Sequence, residues 1–142
     1  MSTPSVLPNV GAKASLSRQV TDQAIRTFAD VTGDRNPVHL DDGFAAGTRF
    51  GKRIAHGFLA VSLVSAVLGT RLPGPGTIYL QQLVKFLAPV HVDDVVTAEV
   101  EVLEVIPERN RVRLRTTCRN QNGTLLVDGE ATVLVERGGQ SQ

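Results

Sequence analysis

An apolar run over residues 56–70 restricts the fold of this chain more than any other feature. Its side chains are apolar on nearly every face, so a helix of this sequence must be buried on all sides. Its length and its Ala, Ser and Leu content favour a helix, although its valines also suit a strand. The prolines and glycines of residues 72–76 then end it. The rest of the chain must therefore provide a surface that surrounds one central helix.

The sequence after residue 76 alternates with a period of two, which indicates β-strands. We predict strands over residues 77–88, 94–106, 110–120 and 124–136. The alternation slips at Leu103, which predicts a bulge, and Asn122-Gly123 predicts a hairpin turn. We expect an antiparallel meander whose apolar face, which includes Cys118, covers the central helix. This arrangement is an α+β fold.

The N-terminal part of the chain is predicted to add one strand and two helices. A first strand is expected over residues 14–20. A helix follows, with Thr21 as a suitable N-cap and Gly33 as a C-terminal stop. A shorter helix comes next, and we expect it to turn Phe44 and Ala45 inward.

The composition is that of one ordinary folded domain, with 42% hydrophobic and 20% charged residues among 142. We expect this domain over residues 14–137, between a flexible N-terminal arm (1–13) and a C-terminal tail (138–142). The net charge of +1 predicts neither a nucleic-acid nor a membrane partner. One cysteine excludes an intrachain disulfide, so we expect a cytoplasmic protein. The three histidines lack zinc-motif spacing, so no metal site is predicted.

An acid and a base lie close together between the two predicted helices. Asp34 precedes His39, with Gly33, Asn36 and Pro37 around and between them. Pro37 has no N–H and biases Asn36 toward extended geometry, so this composition argues for a shaped loop and against a regular helix. Imidazole and carboxylate groups are the usual acid–base catalysts. The structural alternative is that Asp34 only bonds its own backbone in a turn.

This stretch resembles the hydratase 2 signature of the MaoC-like, hot-dog-fold dehydratases. The signature is present here as Phe28, then Thr32-Gly33-Asp34-Arg35-Asn36-Pro37-Val38-His39, then Ala45, and a second mark follows as Ile54-Ala55-His56-Gly57-Phe58-Leu59. The resemblance covers residues 14–136, although Lys52-Arg53 precede Ile54 where some relatives carry Pro. It implies a hot-dog fold, with an antiparallel sheet wrapped around a long central helix. It also implies (R)-specific hydration of trans-2-enoyl-CoA to (R)-3-hydroxyacyl-CoA.

Three groups are expected to carry this chemistry. Asp34 and His39 would hold a water and shuttle its protons. The backbone N–H of Gly57 lies in the first turn of the central helix and lacks an intrahelical partner, so it would stabilise the thioester oxyanion. Further substrate contacts are expected from three residues that each also have a structural alternative: Asn36, His56 and Ser65.

The resemblance also sets expectations about the substrate and partners. The substrate would carry coenzyme A, no other cofactor is expected, and the chain would form a homodimer that joins two sheets edge to edge. Coenzyme A phosphates could contact the arginines at 111, 113, 115 and 119, although a spacing of two is equally typical of a solvated strand face. The alternative phosphate contacts are Lys52, Arg53 and Lys85. The alternative functions are a hot-dog acyl-CoA thioesterase and a non-catalytic acyl-thioester-binding subunit.

Overall fold

The computed structural model describes residues 7–136, so the predicted tail (138–142) and the start of the predicted arm lie outside the described residues. Within residues 7–136, four helices and five strands follow one another, with a short 3₁₀ turn, Pro107–Arg109, between β3 and β4. The helices are α1 (Asp22–Thr32), α2 (Pro37–Leu40), α3 (Asp42–Ala46) and α4 (Gly57–Thr70). The strands are β1 (Lys13–Gln19), β2 (Thr77–Phe86), β3 (Val95–Ile106), β4 (Arg111–Arg119) and β5 (Leu125–Val135).

The five strands form one antiparallel sheet in the order β1-β3-β4-β5-β2. The predicted meander is correct for β3, β4 and β5, but β2 pairs with β5 instead of β3. Alternation shows which side chains face the core and does not show which strand is the neighbour, so the sequence could not place β2. The predicted bulge is confirmed, because the β3–β4 register shifts between Val102 and Glu104. The predicted hairpin between β4 and β5 is confirmed as well.

The core lies between α4 and the apolar face of the sheet. Val112, Leu114, Thr116 and Cys118 of β4 are fully buried, as their alternation predicts. The buried side chains of α4 are Ala60, Val61, Val64, Val67 and Leu68. The prediction that α4 is buried on all sides is wrong for the single chain, because Phe58 is 62% exposed and its neighbours Ser62 and Ser65 on α4 are exposed too.

The N-terminal helices lie where the sequence predicts them, with three corrections. Thr21 caps α1 and Gly33 ends it in the left-handed conformation. The stretch predicted as a loop contains the one-turn helix α2, because Pro37 stands at its first position, where a missing N–H removes no helical bond. Ala45 is buried, but Phe44 is exposed.

The third correction concerns the predicted arm. Gly11 and Ala12 were predicted to belong to the arm, but they belong to the folded domain, because they exchange backbone hydrogen bonds with Val102 of β3. Among residues 7–136, no helix is long and apolar enough to cross a membrane. The predicted cytoplasmic location stays a prediction.

Candidate active site

Asp34 and His39 come together at the end of α1. The left-handed Gly33 turns the chain out of α1, and Asn36 caps α2, on which His39 lies. One carboxylate oxygen of Asp34 and one ring nitrogen of His39 lie within 4.8 Å of each other. Asp34 is exposed, and its Oδ1 also accepts a 3.3 Å hydrogen bond from the Asn36 N–H. The turn expected as the structural alternative is therefore present, and it leaves the second carboxylate oxygen available.

The imidazole of His39 is held at one nitrogen and open at the other. Its Nδ1 lies 2.8 Å from the carbonyl oxygen of Ile54, which can only accept a hydrogen bond. Nδ1 therefore carries the proton and Nε2 has a free lone pair. Burial lowers the pKa of His39 below 6.5 and outweighs the opposing effects of the Ile54 hydrogen bond and the Asp34 charge, while His56 lowers it further. The neutral ring, which can accept a proton, is therefore favoured.

His56 lies against both of these groups. Its Nε2 lies 2.9 Å from the backbone carbonyl oxygen of Asp34. Its ring stacks on His39, with centroids 3.9 Å apart, and contacts Phe28, with centroids 4.8 Å apart. It precedes α4 as the N-cap residue, and its Nδ1 is buried without a hydrogen-bond partner among the described residues.

The spacing of Asp34, His39 and His56 also raises the question of a metal ion, since one ligand atom of each lies within 4.8 Å of the others. The Nε2 of His56 must carry a proton to donate to the carbonyl of Asp34, so it cannot bind a metal while that hydrogen bond is made. The absence of a metal site stays a prediction.

Gly57 is the first residue of α4, so its N–H has no carbonyl of its own helix to bond. A side chain at this position would clash with the ring of Phe86 unless that ring moved. A Cβ added at Gly57 would lie 2.5 Å from Cε1 of that ring. The backbone is therefore open to close approach at the N-terminus of a helix, where negative charge is stabilised.

His39 and Gly57 line one cavity of about 360 Å³. Arg49 is the only cation among its lining residues, and the aromatic lining comes from Phe50, Phe58 and Phe86. The sequence did not reveal Arg49 and Phe50, because they lie in an irregular segment between α3 and α4 where no periodicity indicates direction.

Two of the residues expected to contact substrate lie elsewhere. The side-chain Oδ1 of Asn36 accepts a 3.2 Å hydrogen bond from the N–H of Val38, which supports its structural alternative. Ser65 lies on the exposed face of α4 and lines a second, more open cavity of about 520 Å³ with Phe28 and Tyr79. Their contacts with substrate stay predictions.

The arginines expected near phosphates are mostly engaged in ion pairs. Arg53 is buried, bonds the carbonyl of His39 through Nε at 2.9 Å and forms an ion pair with Asp22, so it is unavailable to a phosphate. The Arg53 guanidinium holds the pKa of Asp22 below its usual range. On the outer face of the sheet, Arg113 contacts Glu104 and Glu130. These contacts support the solvated-face alternative for the arginine stripe.

An antiparallel sheet around one helix, with a carboxylate–imidazole pair beside the start of that helix, defines a hot-dog-fold dehydratase. Residues 6–123 match the MaoC like domain, and the chain belongs to this family.

Its relatives are enzymes of related activity. It is 50% identical over 128 residues to the 3-hydroxybutyryl-CoA dehydratase of Methylorubrum extorquens, covering 90% of this chain and 81% of that protein. It is 47% identical over 129 residues to the (R)-specific enoyl-CoA hydratase of Rhodospirillum rubrum, covering 91% and 89%. The solved (R)-hydratase from Aeromonas caviae, involved in PHA biosynthesis, superposes with a TM-score of 0.87 at 45% identity and covers 90% of this chain and 97% of that one.

Proposed function

We propose that this chain is a hydro-lyase that adds water to trans-2-enoyl-CoA and forms (R)-3-hydroxyacyl-CoA reversibly. The observation that carries the proposal is the convergence of three groups. The carboxylate of Asp34 and a ring nitrogen of His39 lie within 4.8 Å, and His39 shares its cavity with Gly57. The relatives' names as 3-hydroxybutyryl-CoA dehydratase and (R)-specific enoyl-CoA hydratase describe the two directions of one reaction type.

The protonation of His39 supports an order for the proton transfers. Its free Nε2 accepts a proton from water as the water oxygen forms a bond to C3 of the substrate. The carboxylate of Asp34 accepts a hydrogen bond from the other hydrogen of that water and orients it. His39 then returns the proton to C2 on the same face, so that H and OH add syn. No electrons are gained or lost overall, so the reaction requires no redox cofactor.

Charge develops on the thioester oxygen while C3 is attacked. The N–H of Gly57 would donate to this oxygen at the N-terminus of α4, where the helix dipole adds to the effect. One such donor contributes about 3–4 kcal/mol to stabilising a transition state. This role is consistent with a glycine at a position where an added Cβ would clash with the ring of Phe86.

The unpaired edge of β2 supports the predicted homodimer. β2 is hydrogen-bonded to β5 on one side and ends the sheet on its other side within the described residues. It carries several large exposed apolar side chains: Ile78, Leu80, Leu83 and Phe86. Phe58, on the exposed face of α4, extends this surface through its ring contact with Phe86. Pairing of two β2 edges would cover these side chains.

A mutation tests this interface. Leu83 is 65% exposed, so Leu83→Glu should convert the dimer to a monomer without unfolding the chain. Sedimentation equilibrium measures the change, and a variant that stays dimeric would contradict pairing through β2.

Loss of the conjugated-thioester absorbance of crotonyl-CoA tests the function. The wild-type chain should remove this absorbance, and Asp34→Asn and His39→Gln should lose most of the activity. His91→Gln is the matched control, because His91 pairs with Ile54 only through its backbone and its side chain lines neither cavity. A thiol-reactive dye tests the thioesterase alternative, which predicts free coenzyme A. Inactivity of the purified wild-type chain would favour the non-catalytic alternative.

A further inference from the structure

The side chain of His56 connects the separate parts of the candidate site. It is 2% exposed and lies between the ring of Phe28 and the ring of His39. Its Nε2–H donates to the carbonyl oxygen of Asp34 at 2.9 Å. It is also the N-cap residue immediately before Gly57. Its position is therefore coupled to all three proposed catalytic groups.

Asp34 depends on this contact because little else holds it. Its remaining hydrogen bonds are local, from its own N–H to Thr32 at 3.1 Å and from the Asn36 N–H to its carboxylate at 3.3 Å. Within residues 7–136, the bond from His56 is the only hydrogen bond that reaches Asp34 from outside this turn. Its loss would leave an exposed loop free to move the carboxylate.

His39 needs a second restraint for a different reason. Its hydrogen bond to Ile54 fixes one nitrogen but still permits the ring to tilt about that bond. The ring of His56 stacks on the ring of His39, with 31° between the ring planes. This stacking restricts the tilt of His39 and so fixes the direction of its Nε2 lone pair.

We propose that His56 is a positioning residue that fixes the placement of Asp34 relative to His39, through a hydrogen bond to the first and ring stacking on the second. The proposal rests on the proposed hydratase function for its kinetic consequences. The proposal requires the tautomer of His56 that carries its proton on Nε2. The Nδ1 of His56 is then unprotonated, so no N–H is buried there without an acceptor.

Two variants separate the two contacts. His56→Gln retains a side-chain N–H donor and removes the aromatic face, whereas His56→Phe retains the face and removes the donor. Each should lower kcat by about ten- to a hundredfold with KM within about threefold of wild type, because misplacement of a reacting group by about 1 Å costs about a hundredfold. His91→Gln is the control and should match the wild type. Two folded variants with wild-type kcat would overturn the proposal.

NMR supplies a readout that does not depend on turnover. The chain has three histidines, so the ring nitrogens of His39, His56 and His91 can be assigned separately. In the wild type, His56 should show the Nε2–H tautomer, and the opposite tautomer would overturn the proposal. In His56→Phe, the ring signals of His39 should shift from their wild-type positions, because the ring that stacks on His39 has changed; unchanged His39 signals would contradict direct contact.

These outcomes separate the two proposals. If the wild type lacked hydratase activity while the His56 tautomer and the change in the His39 signals were as expected, only the proposed function would fail.

Arg49 supports a second inference from an independent observation. It is exposed and lines the cavity that contains His39 and Gly57. Its guanidinium carbon lies 5.0 Å from the ring centroid of Phe50. Of the residues that the structure describes, no carboxylate lies within ion-pair distance of it, in contrast to Arg53, Arg113 and Arg115.

We infer that Arg49 binds a phosphate of the substrate's carrier arm, either the diphosphate of coenzyme A or the phosphate of a protein-bound phosphopantetheine. An unpaired guanidinium at a cavity mouth is suited to this task, because its fork of N–H donors matches phosphate oxygens. This inference deepens the proposed function and rests on it for the identity of the substrate.

Substrates with and without phosphate provide the test. Arg49→Gln should lower kcat/KM for crotonyl-CoA about tenfold or more, and leave kcat/KM for crotonyl-pantetheine, which has no phosphate, unchanged. Arg109→Gln is the matched control, since Arg109 is exposed in the turn between β3 and β4, far along the sheet from the cavity. Equal losses on both substrates, or no loss on either, would overturn the inference.

Further measurements identify the phosphate and remove the dependence on turnover. Calorimetry measures the Kd of coenzyme A and of pantetheine without any reaction. Arg49→Gln should raise the Kd of coenzyme A and leave the Kd of pantetheine unchanged. Equal Kd changes for both ligands would overturn the inference. A loss on crotonyl-phosphopantetheine equal to that on crotonyl-CoA assigns the contact to the arm phosphate, whereas a loss on crotonyl-CoA alone assigns it to the remainder of coenzyme A.

Discussion

Replacement of Gly57 by alanine is the most informative single change at the start of α4. The added Cβ would lie 2.5 Å from Cε1 and 2.7 Å from Cδ1 of Phe86. Carbon atoms in contact lie about 3.5–4.0 Å apart, so the ring or the helix end must move by about 1 Å or more. A displacement of this size at the helix end, which carries the proposed oxyanion donor, costs about a hundredfold in rate. We therefore expect kcat/KM of Gly57→Ala to fall about a hundredfold, although its N–H is retained.

The assay is the initial rate of crotonyl-CoA hydration by four proteins: wild type, Gly57→Ala, Phe86→Leu and the double variant. Phe86 is 49% exposed, so its truncation should be tolerated by the fold. If the clash causes the loss, the double variant should be at least about tenfold more active than Gly57→Ala. A Gly57→Ala enzyme within twofold of the wild-type rate would refute the close approach that we assign to this backbone.

Three further predictions follow from contacts of single residues. Asn36→Ala should lower the free energy of unfolding by about 1 kcal/mol in urea titration, because the cap on the Val38 N–H is lost; an unchanged stability would argue against the cap. Protonated His39 cannot accept a proton, so kcat/KM should decline on acidification with a midpoint below pH 6.5, and a midpoint above it would contradict the burial effect. Burial raises the pKa of the Cys118 thiol to about 12, so a thiol reagent should label it slowly in the native protein and rapidly in urea.

The strands and the main helices were predictable because each pattern has one dominant physical cause. The alternation of β4 places Val112, Leu114 and Cys118 inward, and all three are buried. The cap and stop at Thr21 and Gly33 mark the ends of α1, since both act through local backbone geometry. The position of β2 at the sheet edge was not predictable, because strand neighbours are chosen by long-range contacts that leave no period in the sequence.

The candidate site was likewise predictable from the sequence only in part. The motif indicated Asp34, His39 and Gly57, and the structure brings the first two together and places the third on the cavity that His39 lines. The motif did not predict that His56 stacks on His39 and donates a hydrogen bond to Asp34, because such contacts join residues far apart in the chain. Arg53 illustrates the opposite error, since its charge suggested a phosphate contact while its burial assigns it to Asp22.

Hydration of crotonyl-CoA in D₂O tests the proposed addition of water by Asp34 and His39, with NMR used to determine the configuration of the product at C2 and C3. Water held by Asp34 and a proton returned by His39 must reach the same face of the double bond. We expect one deuterium at C2, syn to the new hydroxyl, and an R configuration at C3. Anti addition, or an S configuration at C3, would contradict it.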